Sequence, residues 1–284
     1  MTKRRIKHGY IMSMDFSSSD IVSEICRLSD DMYAHGWNER NGGNISRFVS
    51  EEELRPYGSE LEPKRKIALT TPFPALAGKS FLITGTLKYI RNVSRSPKTT
   101  LGLMRICEGG READLLWGFE DGGRPTSETT MHLGAYLERS AIDSRQRYVI
   151  HCHPASVILL SEILPCDEKI ISQALWKVMN ECIVIFPEGV GALDWMISSS
   201  DGIGIESAPK FRDFRALIWA MHGITAVGDT ADEAYGLIEC IDKAADIYVR
   251  LMSVDTGYRR LLTPDELRMI VKSFGLRVRE DWLE

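Results

Sequence analysis

Cysteine is scarce in this chain and forms no motif. The 284 residues hold six, at positions 26, 107, 152, 166, 182 and 240, and no two stand in a CxxC spacing. That excludes the disulfide scaffold of a small secreted domain and leaves reduced, cytosolic thiols as the expectation. An excess of positive charge is also missing: 35 Lys and Arg face 40 Asp and Glu, for a net charge of -5. A nucleic-acid binder held by a general basic field is therefore not expected, although a local groove around a small anion stays open. No apolar run approaches the ~20 residues of a membrane span. The N-terminus, MTKRRIKHGYIMSMDF, starts basic, but its apolar stretch is short and broken by Asp15, short of the roughly 7–15 residues of a signal peptide core. A cytoplasmic location is expected. There is no Walker loop and no G-x-G-x-x-G, so nucleotide binding has no support. Neither an internal repeat nor a linker long enough to separate domains is present.

What the chain does have is an ordinary globular balance, 44% hydrophobic and 26% charged, which excludes disordered, collagenous and coiled-coil classes. Residues 1–18 read as a mobile arm ending in a serine cluster. Asp20 then caps a helix with Ile21, Ile25, Leu28 and Met32 on one face and Gly36 as its stop. A loop, Arg40-Asn41-Gly42-Gly43-Asn44, follows, and residues 50–79 read as an irregular surface excursion. Residues 80–84 read as a strand running into Gly85-Thr86, with more strand up to about Trp117. A helix is expected from Thr126 or Ser127, after Pro125, to about residue 139. Residues 146–153, 183–186 and 216–220 read as buried strands. Toward the C-terminus, Thr230 with Glu233 and Thr263-Pro264-Asp265-Glu266 open two helices with capping-box signatures, the second closed by Gly275. The alternation predicts one α/β/α layered domain over residues 19–284.

His151-Cys152-His153 is the sharpest local feature. On a strand, residues i and i+2 share a face, so both imidazoles project together while Cys152 points away. That spacing suits two ligands of one Zn²⁺, and a catalytic zinc takes a third protein ligand and keeps an open position. His222 is the best candidate for the third: it ends another apolar strand and precedes Gly223, which allows close backbone approach. His8 in the arm, His35 near a helix end and His132 inside a helix suit less well. The plainer alternative is a pair of partly buried, hydrogen-bonded histidines.

Two carboxylates and three short segments complete the candidates. Glu128 falls in the first turn of the helix opened by Thr126-Ser127, where the helix dipole favours the anion, as it would for any first-turn glutamate. Glu181 stands directly before the apolar run 182–186, which also describes an ordinary solvated strand end. Asn41-Gly42-Gly43-Asn44, Thr84-Gly85-Thr86 and Thr126-Ser127 offer amides and hydroxyls suited to a phosphate; each alone also reads as a turn or a cap.

In this order the segments resemble the class II, zinc-dependent aldolases of sugar phosphates. The matching stretches are residues 36–44 (GWNERNGGN), Phe81-Leu82-Ile83-Thr84-Gly85, Leu115-Leu116-Trp117-Gly118, Pro125-Thr126-Ser127-Glu128, Val149-Ile150-His151-Cys152-His153, residues 181–187 and Met221-His222-Gly223. The likeness covers nearly everything after residue 25. Trp37-Asn38-Glu39-Arg40 and the Pro-Thr-Ser-Glu segment are similar to the branch that acts on L-rhamnulose 1-phosphate.

The resemblance implies that His151, His153 and His222 bind one Zn²⁺ per subunit. Asn41, Gly43, Asn44, Thr86, Thr126 and Ser127 would surround the phosphate of dihydroxyacetone phosphate. Glu128 would be the general base, and Glu181 would reach a neighbouring subunit's site. It further implies a nine-stranded sheet flanked by helices, a cyclic tetramer, and reversible cleavage to dihydroxyacetone phosphate and L-lactaldehyde in rhamnose catabolism. A zinc ion polarising the substrate carbonyl suits that chemistry, and no Schiff-base lysine stands out. One departure is Leu87, where the family usually has Gly: a residue with a Cβ does not take φ > 0 freely. The alternatives are a fuculose-phosphate aldolase or pentose-phosphate 4-epimerase on the same metal site, or a non-catalytic assembly module of the same fold.

Overall fold

The structure, a computed structural model, describes residues 15–198, 200–255 and 257–284. Its centre is a sheet of nine strands: β1 (Asn44–Val49), β2 (Arg65–Ala68), β3 (Ser80–Thr84), β4 (Leu101–Ile106), β5 (Glu112–Gly118), β6 (Tyr148–Cys152), β7 (Gly191–Leu193), β8 (Ala216–Trp219) and β9 (Gly223–Gly228). Their order is β2-β5-β4-β3-β1-β6-β9-β8-β7, and every pairing is antiparallel except β7 with β8. The helices are α1 (Asp20–Ala34), α2 (Glu51–Leu54), α3 (Pro97–Thr100), α4 (Thr129–Ser140), α5 (Ala155–Ile163), α6 (Glu168–Val178), α7 (Asn180–Ile185), α8 (Asp201–Ser207), α9 (Ala231–Ser253) and α10 (Pro264–Phe274).

Period-two alternation along the strands feeds two separate cores. Ile45, Leu82, Ile150, Cys152 and Ile224 face α1, α5, α6 and α9, meeting Ile25, Val157, Leu175, Leu237 and Ile241. Phe81, Ile83, Val149 and Val227 face the other way, against Met131, Ala135 and Tyr136 of α4 and Ile203 of α8. The expected α/β/α layering is what forms.

Local expectations differ from the structure in several places. Ser19, not Asp20, caps α1, its hydroxyl accepting from the Val22 N–H. Helix α4 starts at Thr129, two or three residues later than the expected Thr126 or Ser127, with Glu128 as its cap residue. Residues 183–186 belong mostly to helix α7 rather than to a strand. Cys182, Ile183 and Phe186 are buried while Glu181 and Ile185 are exposed, an i, i+1, i+4 pattern that a four-residue apolar run cannot reveal. Strand β9 lies in a stretch assigned to no element, and the 50–79 excursion contributes the edge strand β2. Thr230 caps α9 through the Glu233 N–H alone, whereas Thr263 and Glu266 form the full reciprocal box of α10. The arm also ends earlier than residue 18. Phe16 is fully buried, edge-on to Tyr57 and Trp117, and its N–H donates to Glu60 Oε2 at 2.8 Å. Residues 1–14, with His8, lie outside the described residues.

Candidate metal centre

Three backbone segments converge at one end of the central strands. Within β6, His151 pairs with Asn44 of β1 on one side and Thr225 of β9 on the other. His153 follows one residue past the strand, held where its N–H donates to the Trp37 carbonyl at 2.9 Å. His222 sits in the three-residue turn of the β8–β9 hairpin, its N–H donating to the Trp219 carbonyl. Met221, just before it, takes φ 59°. The hairpin approaches β6 closely because residue 223 is Gly: a Cβ there would run into the Cys152 carbonyl and come within 2.9 Å of the His153 ring.

The result is a cluster in which one ligand atom from each of His151, His153 and His222 lies within 4.8 Å of the others. The nitrogens not used for this are oriented. His151 Nδ1 faces the Ile224 carbonyl at 3.0 Å and His153 Nδ1 faces Glu39 Oε1 at 2.8 Å. Carbonyl and carboxylate oxygens only accept, so both Nδ1 atoms carry the proton and both Nε2 atoms present lone pairs. Those Nε2 atoms stand 3.1 Å apart, a repulsive approach that a shared cation relieves. His222 Nδ1 is buried with no hydrogen-bond partner among the described residues. Burial drives the His151 pKa well below 6.5 and takes His222 down to about 4. A neutral imidazole is the form a metal requires, and three converging histidines form a donor set suited to zinc. The residues fit the ion.

Glu128 stands against this cluster. Its Oε2 is 3.6 Å from His151 Nε2 and its Oε1 is 4.0 Å from His222 Nε2. Its backbone carbonyl accepts from the His132 N–H to begin α4, while its side chain turns away toward the histidines. The carboxyl is buried, which raises its pKa, and the Asn44 Nδ2–H donated to Oε2 at 2.7 Å opposes the rise. Glu128 thus stands at the cap of α4 rather than in the expected first turn.

The polar segments gather beside it. Gly85 bridges to Pro125, the Thr86 N–H donates to the Arg124 carbonyl and the Thr126 N–H to the Thr84 carbonyl, which lays residues 124–126 alongside 84–86. Thr86, Thr126 and Ser127 thereby line one cavity of about 250 Å³ with Arg124 and Asp201. Leu87 beside them does take φ 59°, with its side chain 75% exposed. Asn44 is buried on Glu128, whereas Asn41 is half-buried in the loop. Gly43, at φ 75°, lies where a Cβ would collide with the Asn38 amide. Glu181 is not among these groups. It is exposed at the start of α7, on a groove of about 1130 Å³ lined by neither Glu128 nor any of the three histidines. Sequence reasoning passed over Glu39, the partner of His153, and set His132 aside as a helix-interior residue, although its place four residues after Glu128 puts both on one helix face.

The pattern of the class II aldolase and adducin N-terminal domain matches residues 23–249. The chain belongs to this family. A rhamnulose-1-phosphate aldolase of Listeria innocua is 35% identical over 272 residues, covering 96% of this chain and 99% of that one. The protein of the same name from Enterococcus faecalis is 36% identical over 271 residues, 95% and 97% of the two chains. Among solved structures, a sugar-phosphate aldolase from Thermotoga maritima superposes with a TM-score of 0.71 at 25% identity, over 82% of this chain and 95% of that one. An L-fuculose-1-phosphate aldolase from Thermus thermophilus shares the fold at a TM-score of 0.55 and 20% identity, over 82% and 95%.

Proposed function

We propose that this family member is an aldehyde-lyase that cleaves L-rhamnulose 1-phosphate reversibly to dihydroxyacetone phosphate and L-lactaldehyde, with one zinc ion per subunit. The observation that carries the reading is the buried Glu128 carboxyl 3.6 Å from the ring of His151, inside a cluster of three convergent imidazoles. The relatives above, similar over nearly their whole length, carry the substrate.

His151, His153 and His222 would hold the metal. Zinc, when bound, supplies the Lewis acid that stabilises negative charge on the substrate oxygens beside the breaking bond. Glu128 is the proton carrier: in synthesis it takes a proton from the carbon next to the carbonyl, and in cleavage it returns one there. Burial of the carboxyl works in the direction that a group taking and returning one proton needs. Asn44 holds the carboxylate in place through the 2.7 Å bond. Asn41, Gly43, Thr86, Thr126 and Ser127 offer amides and hydroxyls to the phosphate, and Asn44 stands at the edge of the same group. Glu181, exposed on a groove that neither Glu128 nor the three histidines line, reaches the site of a neighbour in a cyclic tetramer. The setting is the cytoplasm, and residues 19–284 form the catalytic domain.

The test is a coupled assay that scores dihydroxyacetone phosphate release from L-rhamnulose, L-fuculose and D-ribulose 1-phosphates, with L-ribulose 5-phosphate followed separately for epimerisation. Cleavage strongest with the rhamnulose ester supports the reading. Preference for another ester, or epimerisation without cleavage, overturns it.

A further inference from the structure

His132 is fully buried and lies one helical turn after Glu128 on α4. Its two ring nitrogens face two residues of β1: Nε2 meets Asn44 Oδ1, and Nδ1 meets Ser46 Oγ at 2.6 Å. Ser46 Oγ is in turn 2.9 Å from the Tyr136 hydroxyl, which also lies 3.1 Å from the Arg147 carbonyl. The direction of the bonds that join Glu128, Asn44, His132 and Ser46 follows from one fact. The Glu128 carboxylate accepts from the Asn44 NH₂, so the Asn44 oxygen is the end that faces His132. That oxygen only accepts, so His132 carries its proton on Nε2. Its Nδ1 then has a lone pair, and the Ser46 O–H donates to it. Burial, which pulls the His132 pKa down to about 3, keeps the ring neutral, and the bonds to Asn44 and Ser46 select the tautomer.

We propose that His132 is a positioning residue for the reaction: by donating from Nε2 it locks the orientation of the Asn44 amide, and through that amide it aims the carboxylate of Glu128. Without this donor the amide is free to turn, and its oxygen would then confront the carboxylate. The inference rests on the assignment of Glu128 as the base.

Three variants and one spectrum test it. His132→Phe fills the space without a donor, His132→Gln offers an N–H in its place, and Ser46→Ala removes the bond at Nδ1, one of the two that select the tautomer. His132→Phe should lower kcat by roughly ten- to a hundredfold, the scale of a misplaced catalytic group, with KM within about threefold and bound metal unchanged. His132→Gln should recover most of that loss, and Ser46→Ala should fall between. Nitrogen NMR of histidine-labelled protein should show the His132 proton on Nε2 and none on Nδ1. A proton on Nδ1, a His132→Phe kcat within about twofold of the parent, or a His132→Gln as impaired as His132→Phe would overturn the proposal. If His132→Phe does not fold, the spectrum and Ser46→Ala decide. The spectrum does not depend on what Glu128 does. Full activity of Glu128→Gln would therefore overturn the base assignment separately from a proton found on His132 Nδ1.

Discussion

His151 and His153 are prepared as ligands by what their second nitrogens do. With Nδ1 committed to the Ile224 carbonyl and the Glu39 carboxylate, each ring is left one lone pair and one direction for it. Single Ala substitutions at His151, His153 or His222 should each remove most of the bound metal, measured by elemental analysis of the purified protein. Zinc content near one per chain in all three would end the metal assignment. Glu128→Gln keeps the shape and the Asn44 contact but removes the proton carrier. Turnover should fall by roughly 10²–10⁴-fold, the usual worth of a general base, with metal content unchanged. A loss below about threefold would reassign the role. Leu87 holds a left-handed conformation that costs an L-residue roughly 1–2 kcal/mol, partly offset because Gly gains more freedom on unfolding. Leu87→Gly should therefore raise stability in urea by up to about 1 kcal/mol. A lower stability would mean that the exposed Leu87 side chain packs against something.

At the scale of elements, the hairpin β8–β9 and the end of β6 assemble the centre, and Gly223 sets how close they come. Gly223→Ala should weaken metal binding at least tenfold by titration while the sheet persists in the circular dichroism spectrum, since the new Cβ would press on the Cys152 carbonyl and the His153 ring. Unchanged affinity would show that the hairpin can shift without moving His222. This close approach was readable in Met221-His222-Gly223, because a glycine beside a candidate ligand signals contact. The helical state of residues 180–185 was not. Four apolar residues in a row suit a buried strand or one buried helical turn equally, and what decides is the packing of Cys182, Ile183 and Phe186 against α6, α9 and α10. The start of α4 was misplaced because Pro125 and Ser127 are good helix openers, yet residues 124–126 are claimed by backbone bonds to 84–86.

For the whole molecule, the role proposed for Glu181 would tie catalysis to assembly. In one chain it lies on a groove that none of the three histidines lines, so its proposed role needs a second chain. Closed cyclic symmetry would give each site the same neighbour. Glu181→Ala chains keep Glu128 and the histidines, and Glu128→Gln chains keep Glu181. Mixed assemblies formed by dissociation and reassembly should regain activity that neither variant has alone. Proven mixed tetramers without recovery, or an active monomer in ultracentrifugation, would confine the site to one chain.

The sequence by itself determined the layered class, since alternating apolar runs and capped amphipathic helices leave few other ways to bury their faces. It also indicated the pairing of His151 with His153, because i and i+2 share a side of an extended chain, although His153 stands just past β6, where its N–H bond to the Trp37 carbonyl holds it. Only the tertiary structure decided that His222 and Glu128, 71 and 23 residues from His151 along the chain, complete that cluster. It alone drew His132, Asn44 and Ser46 into one hydrogen-bonded row. Strand order and the crossing of α4 over β1 set those meetings, and no local propensity encodes either.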